Sequence, residues 1–480
     1  MNPRKIILLL SIVLSILILQ AQNKPNILFI AIDDCNDYVG CMNGALKAFT
    51  PNIDKLAGQG VLFTNAHCQA PICGPSRACI MTGMLPSTTG NYLQLNDKDI
   101  KKGNEKVAEA IFMPDYFEQF GYKTMGVGKI YHGRDGAKTF DEYAGGWEWF
   151  GPKPKERFKY DPAKLPHKTG GTQTDWGAFP AHDSLMPDYK SARWVVDKLN
   201  QNHEKPFFLA VGMLRPHVPW YTPQKWMDMY PIEKIKLPPY KKDDYNDIPE
   251  MSIRVNEAPC MPTTEELIEW GEWENMIQAY LACITFADAQ IGKILDALEH
   301  SKYAKNTIVV LWSDHGYHLG EKNRVAKQAI WERSTRVPLI FRDIGHKNSG
   351  AKCNAPVQLA DIYPTLVEMC GLPENNLTEG HSLKNLIKDP DSKWNYPCLS
   401  FYGVGNVAVR DEQFRLMQYE DGSLELYDMI NDPNEWNNLA DKKEYKKVIK
   451  ILQKNIPDTW SPLSKFSKYD FNEYFIEKSK

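Results

Sequence analysis

Two apolar runs, each closed by acidic residues, constrain this chain more than any other feature. Residues 26–32 read NILFIAI and lead into Asp33-Asp34, and residues 307–312 read TIVVLW and lead into Ser313-Asp314-His315-Gly316. Neither run alternates apolar with polar residues, so neither suits a sheet with one wet face. Both suit strands buried on two faces, as in a parallel sheet covered by helices. Residues 122–127, 206–213 and 337–341 are further strand candidates. Between them, Thr50-Pro51 predicts a capped helix start, and helical spacing covers about 264–300 and 358–370. This alternation predicts an α/β fold with a large, mostly parallel sheet flanked by helices on both faces. Past the polar stretch 389–397, four short segments at 398–402, 406–410, 414–419 and 424–427 predict antiparallel strands. A basic amphipathic helix is expected at 442–453. The expected organisation is a targeting segment over 1–22, a catalytic domain over 23–385 and a small α+β subdomain over 386–480.

The N-terminus follows a secretory layout. Arg4 and Lys5 precede the apolar run 6–19, and a polar stretch begins at Asn23. The run is short for a membrane span, and no second apolar run of spanning length follows. The expectation is export to the periplasm or beyond, with no membrane contact once the segment is cleaved. A chain of 480 residues buries about three quarters of its surface and needs no metal or disulfide to hold a core. The net charge of −3 excludes the basic footprint of a nucleic-acid binder, so an anionic substrate needs a local basic site. Ten cysteines in an exported chain permit disulfides. None forms a CxxC pair, which argues against structural zinc and thiol–disulfide exchange. Cys283 and Cys370, in apolar helical stretches, read as small buried hydrophobes.

The densest chemistry lies at Cys73-Gly74-Pro75-Ser76-Arg77, followed by Thr82-Gly83. A helix beginning near Ser76 would turn free N–H groups and its positive end toward an anion at Cys73, with Arg77 as a fixed cation. Asp33, Asp34 and Asp314 close two strands, and ligands of open parallel sheets sit at strand carboxyl ends. Three carboxylates converging there would repel one another without a cation among them. A hard divalent ion suits oxygen donors, Ca²⁺ best. Taken alone, an Asp pair after a strand is an ordinary turn signal.

The cysteine motif matches C-x-P-S-R-x-x-x-x-T-G, and on it the chain resembles the sulfatase family of the alkaline-phosphatase superfamily. It is most similar to the iduronate-2-sulfatase branch. Gly128-Lys129-Ile130-Tyr131-His132 resembles that branch's G-K-x-x-H, and Arg215-Pro216-His217-Val218-Pro219 its R-P-H-x-P. Asp314 to Gly320 resembles its D-H-G-x-H-L-G, with Lys327 downstream, and 358–367 and 425–440 resemble the family's closing segments. The resemblance implies that a sulfatase-maturating enzyme oxidises Cys73 to formylglycine. It implies one Ca²⁺, or Mg²⁺ in its place, held by Asp33, Asp34, Cys73, Asp314 and His315. It implies that Arg77, Lys129 and Lys327 steady the sulfuryl oxygens, that His217 is the acid and that His132 is the base. His315 departs from the Asn common in the family. Two residues separate Lys129 from His132, where arylsulfatases have one.

Taken singly, Lys129, His132, His217 and Lys327 also read as loop or turn residues. His318, Asn323 and Arg324 stay undecided. The implied activity is hydrolysis of sulfate esters on sulfated poly- or oligosaccharide, such as ulvan, carrageenan or glycosaminoglycan fragments. A phosphatase or phosphodiesterase of the superfamily would carry Ser or Thr at position 73. A sulfoglycan-binding protein without activity would lack part of this set. Trp147, Trp149, Trp176, Trp220 and Trp226 read either as sugar-stacking faces or as core. The segments 133–190 and 219–262 are too long for plain connectors and are expected to be binding loops.

Overall fold

Every residue of Asn26–Ile32 (β1) is buried, because strands flank it on both sides and helices cover both faces. The computed structural model describes residues 24–133, 135–145, 150–345, 348–468 and 472–478. The targeting segment 1–22, Trp147 and Trp149 lie outside the described residues. The other strands of the large sheet, in chain order, begin with Val61–His67 (β2), Lys123–Gly128 (β3) and Glu142–Tyr143 (β4). Trp176–Ala178 (β5) and Trp220–Thr222 (β7) form a separate two-stranded ribbon. Phe207–Met213 (β6), Thr307–Ser313 (β8), Arg336–Arg342 (β9), Ala351–Cys353 (β10) and Val357–Gln358 (β11) complete the large sheet. Among the described residues it has nine strands, in the order β10-β2-β9-β8-β1-β6-β3-β4, with β11 also on β2. Only β9 runs against the rest, so the sheet is mostly parallel, as expected.

Alternate residues of β1 feed two cores. Leu28, Ile30 and Ile32 pack with helices Pro51–Gln59 (α1), Pro187–Leu199 (α3) and Trp273–His300 (α5). Ile27, Phe29 and Ala31 face the layer that holds helices Cys73–Thr82 (α2) and Ile362–Met369 (α6).

Helix limits differ from expectation where local hydrogen bonding decides them. The pattern over 264–300 is two helices, Thr264–Trp270 (α4) and α5. Gly271, at φ 64, breaks them apart, and a Thr263–Glu266 capping box starts the first. α6 begins four residues late because Gln358 belongs to β11 and 359–361 form a tight 3₁₀ turn. Thr50 precedes α1 but does not cap it through its side chain. Its hydroxyl accepts from the Gly40 N–H (2.8 Å) and donates to Asp54 (3.0 Å). The ten cysteines are all unpaired, and nine are buried. Trp176 and Trp220 resolve as core: they are 1% and 0% exposed and pack on Tyr160 and on Tyr280 and Tyr317.

Cys398–Phe401 (β12), Val407–Arg410 (β13), Phe414–Gln418 (β14) and Leu424–Asp428 (β15) form a second sheet, antiparallel throughout, within a residue or two of the expected limits. The amphipathic helix Lys446–Gln453 (α7) lays Ile449 and Leu452 on one face, against Val409, Leu416 and Leu426. The opposite face, through Ala408, Met417 and Tyr427, shares a core with Ile72, Cys79 and Tyr92. The small sheet therefore packs on the chain segment that carries Cys73.

Candidate active site

Four neighbouring strands, β8, β1, β6 and β3, deliver their carboxyl ends to one edge of the sheet. The β1–β8 register pairs Ile32 with Ser313, which sets Asp33 beside Asp314. The β3–β6 register pairs Gly128 with Gly212, and the Lys129 N–H then donates to the Gly212 carbonyl (3.0 Å). His217 follows β6 inside a turn held by cis bonds before Pro216 and Pro219. The helix α2 begins at Cys73 itself, three residues earlier than its sequence implied, so the sulfur sits at the helix N-terminus.

These elements gather nine of the ten expected residues into one buried cluster. Cys73 Sγ lies 3.1 Å from Lys327 Nζ, 3.2 Å from His315 Nε2, and 3.8 Å from both Lys129 Nζ and Asp34 Oδ1. Lys129 donates to Asp33 (2.6 Å) and Lys327 to Asp34 (2.7 Å). Arg77, one helical turn below Cys73 and 1% exposed, donates to Asp314 (2.8 Å), Asp33 (3.0 Å) and the Ile130 carbonyl (3.0 Å). Its guanidinium therefore orients the carboxylates and faces away from the opening. His217 donates through Nδ1 to its neighbour's carbonyl at Val218 (2.7 Å), stacks on Phe150 (4.7 Å) and directs Nε2 at Asp34 (3.9 Å). His132 stands at the wall of the cavity above Cys73.

Burial raises carboxylate pKa values, and fixed charges oppose it unevenly. At Asp33 burial is overcome by the fixed cations, Lys129 first, with Arg77 and Lys327, and the carboxyl is held well below its usual range. At Asp34 burial prevails over Lys327, and the neighbouring Asp33 adds to it, so the group is shifted upward. Burial pushes the Cys73 thiol up, against Lys129 and Lys327. An unmodified thiol here is a poor nucleophile. Burial, reinforced by Lys129, holds His132 and His217 well below their ordinary value, so both imidazoles are neutral.

Three cations already answer the three carboxylates, so repulsion among the acids does not by itself require a metal. The fit of a divalent ion rests on donor chemistry. One donor atom each from Asp33, Cys73, Asp314 and His315, and one each from Asp33, Asp34, Cys73 and His217, lie within 4.8 Å of one another. Asp34 Oδ2 is buried there without a hydrogen-bond partner. A buried carboxylate oxygen is costly to leave unpaired, and a hard cation would satisfy it.

The residues left undecided in the sequence separate. His318 lies outside the cluster, with Nδ1 on the Ser334 hydroxyl (2.8 Å). Asn323 accepts from the Glu265 N–H (3.3 Å). Arg324 donates to the carbonyls of Lys327 (2.7 Å) and Gln328 (3.2 Å), which fixes the loop bearing Lys327.

A cavity of about 770 Å³ opens over Cys73, His132, His217 and Lys327. Sequence reasoning expected its walls from the two long loops. Phe150, from the first, does reach His217, but among the described residues none of 219–262 lines the cavity. Besides Ile72 and Gln328, the remaining wall comes from 94–96, Lys98 and Asp99 and from Lys465, Phe466 and Lys468. The only sequence signal for the latter was basic–aromatic interleaving in a C-terminal stretch read as subdomain. Tyr280, whose hydroxyl donates to the Asp34 carbonyl (2.8 Å), carries no sequence signal beyond the helical spacing of 264–300.

A mostly parallel sheet presents acids, cations and a helix-terminal cysteine at its carboxyl edge, a setting suited to an anionic ester. A family model described as Sulfatase matches residues 25–372, and one described as N-sulphoglucosamine sulphohydrolase, C-terminal, matches 320–461. The chain belongs to the sulfatase family. It is 47% identical over 461 residues to a sulfatase of Formosa agariphila, covering 95% of this chain and 91% of that protein. It is 31% identical to the iduronate 2-sulfatase of Mus musculus, over 74% of this chain and 70% of the relative. Among solved structures it shares its fold with a 2-O GAG sulfatase, at a TM-score of 0.69 and 23% identity, over 89% of this chain and 90% of that one.

Proposed function

We propose that this protein is exported by its N-terminal segment 1–22 and releases sulfate from sulfated oligo- or polysaccharide, with Cys73 matured to formylglycine by a sulfatase-maturating enzyme. One observation carries the reading. Cys73 heads α2 at the centre of the acid–cation cluster and faces the cavity, yet as a thiol it is held protonated by burial. A cysteine so placed serves chemistry only after conversion. The full polar set around it opposes a binding protein without activity, and Cys at position 73 opposes a phosphatase with Ser or Thr.

Hydrated formylglycine supplies a hydroxyl nucleophile, and a Ca²⁺ (or Mg²⁺) held by Asp33, Asp34, Asp314, His315 and position 73 lowers that hydroxyl's pKa. The chain's own residues do the rest. Lys129 and Lys327 hold the sulfuryl oxygens where negative charge builds, in a site dry enough for such charges to act strongly. Arg77 keeps Asp33 and Asp314 in place behind them. The Val218 carbonyl holds the Nδ1 proton of His217, leaving Nε2 to protonate the leaving sugar oxygen. A bound anionic ester favours the imidazolium that this requires, against the burial that holds the free ring neutral. His132, neutral at the cavity wall, is suited to accept the proton from the second hydroxyl at position 73. A carbohydrate substrate is supported by the iduronate 2-sulfatase relative and by the 2-O GAG sulfatase of like fold. The division into a catalytic domain over 23–385 and a subdomain over 386–480 belongs to the same proposal.

The test is sulfate release from defined sulfated oligosaccharides by protein made with a maturating enzyme that accepts only Cys. Cys73→Ser should lower turnover by a factor on the order of a thousand or more. Full activity in Cys73→Ser would contradict the reading.

A further inference from the structure

The outer wall of the cavity is built from the far end of the chain. Residues 460–468 leave the small sheet and run alongside 87–94 in the same direction. The N–H groups of Ser461, Ser464 and Lys468 donate to the carbonyls of Ser87 (2.7 Å), Gly90 (2.9 Å) and Gln94 (2.8 Å). Trp460 stacks on Tyr92 at 6.1 Å, and the Tyr92 hydroxyl donates to the Ser461 carbonyl (3.0 Å). The strap is thus fixed along its length. At its tip the link to the nucleophile is direct: Gln94, which holds Lys468, accepts through Oε1 from the N–H of Gly74 (3.1 Å), the residue after Cys73.

This strap sets Lys465 and Lys468 on the cavity wall, with Lys98 beside them. All three are exposed, and among the described residues none of their ammonium groups is paired with a carboxylate. Among the described lining residues the acid is Asp99, which is committed to Lys102 (2.8 Å). Phe466 stands between the lysines, its ring flanked by Lys102 (5.5 Å) and Lys465 (5.3 Å). The inner wall already holds the cations needed for one sulfate. Three further ammonium groups at the mouth, in a protein of net charge −3, are a local field that a singly charged ester leaves unused.

We propose that Lys98, Lys465 and Lys468 form an outer anion subsite that binds a second sulfate or carboxylate of the sugar chain while the scissile sulfate lies over position 73. The subsite rests on the sulfatase reading and narrows it: the preferred substrate carries more than one anionic group, and the C-terminal strap selects it. Exposed charge pairs are individually weak, so removing three should weaken a polyanionic ligand about tenfold.

The experiment measures Kd by calorimetry for a trisulfated heparin disaccharide, using the full chain, its Lys98→Ala/Lys465→Ala/Lys468→Ala variant and the variant with Arg at the same three positions. Hydrolysis of 4-nitrophenyl sulfate is followed in parallel. The expected result is a Kd about tenfold higher in the alanine variant, restored by arginine, with a shallower dependence of Kd on salt. An unmoved Kd, or no disaccharide binding by the unaltered protein, overturns the subsite. Lysine-dependent binding by a protein that does not hydrolyse the aryl ester would overturn the sulfatase reading and leave the subsite standing.

Discussion

His217 and His132 reach the same cavity from the ends of different strands, and their surroundings suit them to different protons. His217 has Nδ1 fixed on a carbonyl and Nε2 turned into the cluster, which is what the acid role proposed for it requires. Protonating that oxygen matters only when it is basic. His217→Ala should therefore lower turnover of an unactivated sugar sulfate by about 10²–10⁴, and that of an aryl sulfate with a good leaving group far less. His132→Ala should lower both similarly. Steep leaving-group dependence in His132→Ala with none in His217→Ala would reverse the roles. At this scale the inner site was legible because its residues sit in short patterned strings, G-K-x-x-H and R-P-H-x-P, tied to strand ends. Lys98, Lys465 and Lys468 were not, since an isolated lysine looks the same on a solvated face and on a cavity wall.

Among elements, the β3–β6 junction is a tight fit behind the site. A Cβ on Gly212 would lie 2.1 Å from the Lys129 backbone, where nothing flexible can yield. Gly212→Ala should force β3 and β6 apart, costing about 1–3 kcal/mol by the usual scale of overpacking, and should displace Lys129 from Asp33. Urea unfolding and sulfate release should fall together. Unchanged stability would mean that the strand ends tolerate a wider gap. Five strands of the large sheet, β1, β3, β6, β8 and β9, were read within a residue or two, because double-sided burial leaves an unbroken apolar run; β2, whose run is interrupted by Thr64 and Asn65, and the short β4, β10 and β11 were not. Helix ends were read less well. The break at Gly271 and the late start of α6 are decided by caps and a short strand pairing, to which apolar periodicity is blind.

Across the whole molecule, Arg415 joins the small sheet to the segment that follows Lys327. It is fully buried and donates to Glu332 (3.1 Å), Thr335 (2.8 Å) and the Ile330 carbonyl (3.0 Å), with Glu435 3.4 Å away. Burial pushes Glu435 up to about 8, whereas at Glu332 His67, Arg410 and Arg415 outweigh burial and hold the carboxyl well below its usual range. Arg415→Ala would remove the ion-pair partner of Glu435 and leave Glu332 with Arg410 (3.4 Å), and should cost about 3–5 kcal/mol, read as an earlier denaturation of the small sheet. A loss under about 1 kcal/mol would show that the two sheets dock without this charge. The sequence disclosed that a second sheet exists but not what it covers. Docking is set by contacts between residues hundreds of positions apart, and the basic–aromatic pattern near 465–468 does not say which surface the strap covers.

The account turns on the chemical state of one residue. Peptide mass spectrometry of active enzyme should find position 73 about 18 Da lighter than cysteine, an aldehyde in place of the thiol. The converted fraction should rise in proportion to specific activity across preparations made with and without a maturating enzyme. Fully active protein carrying an unmodified Cys73 would contradict the account.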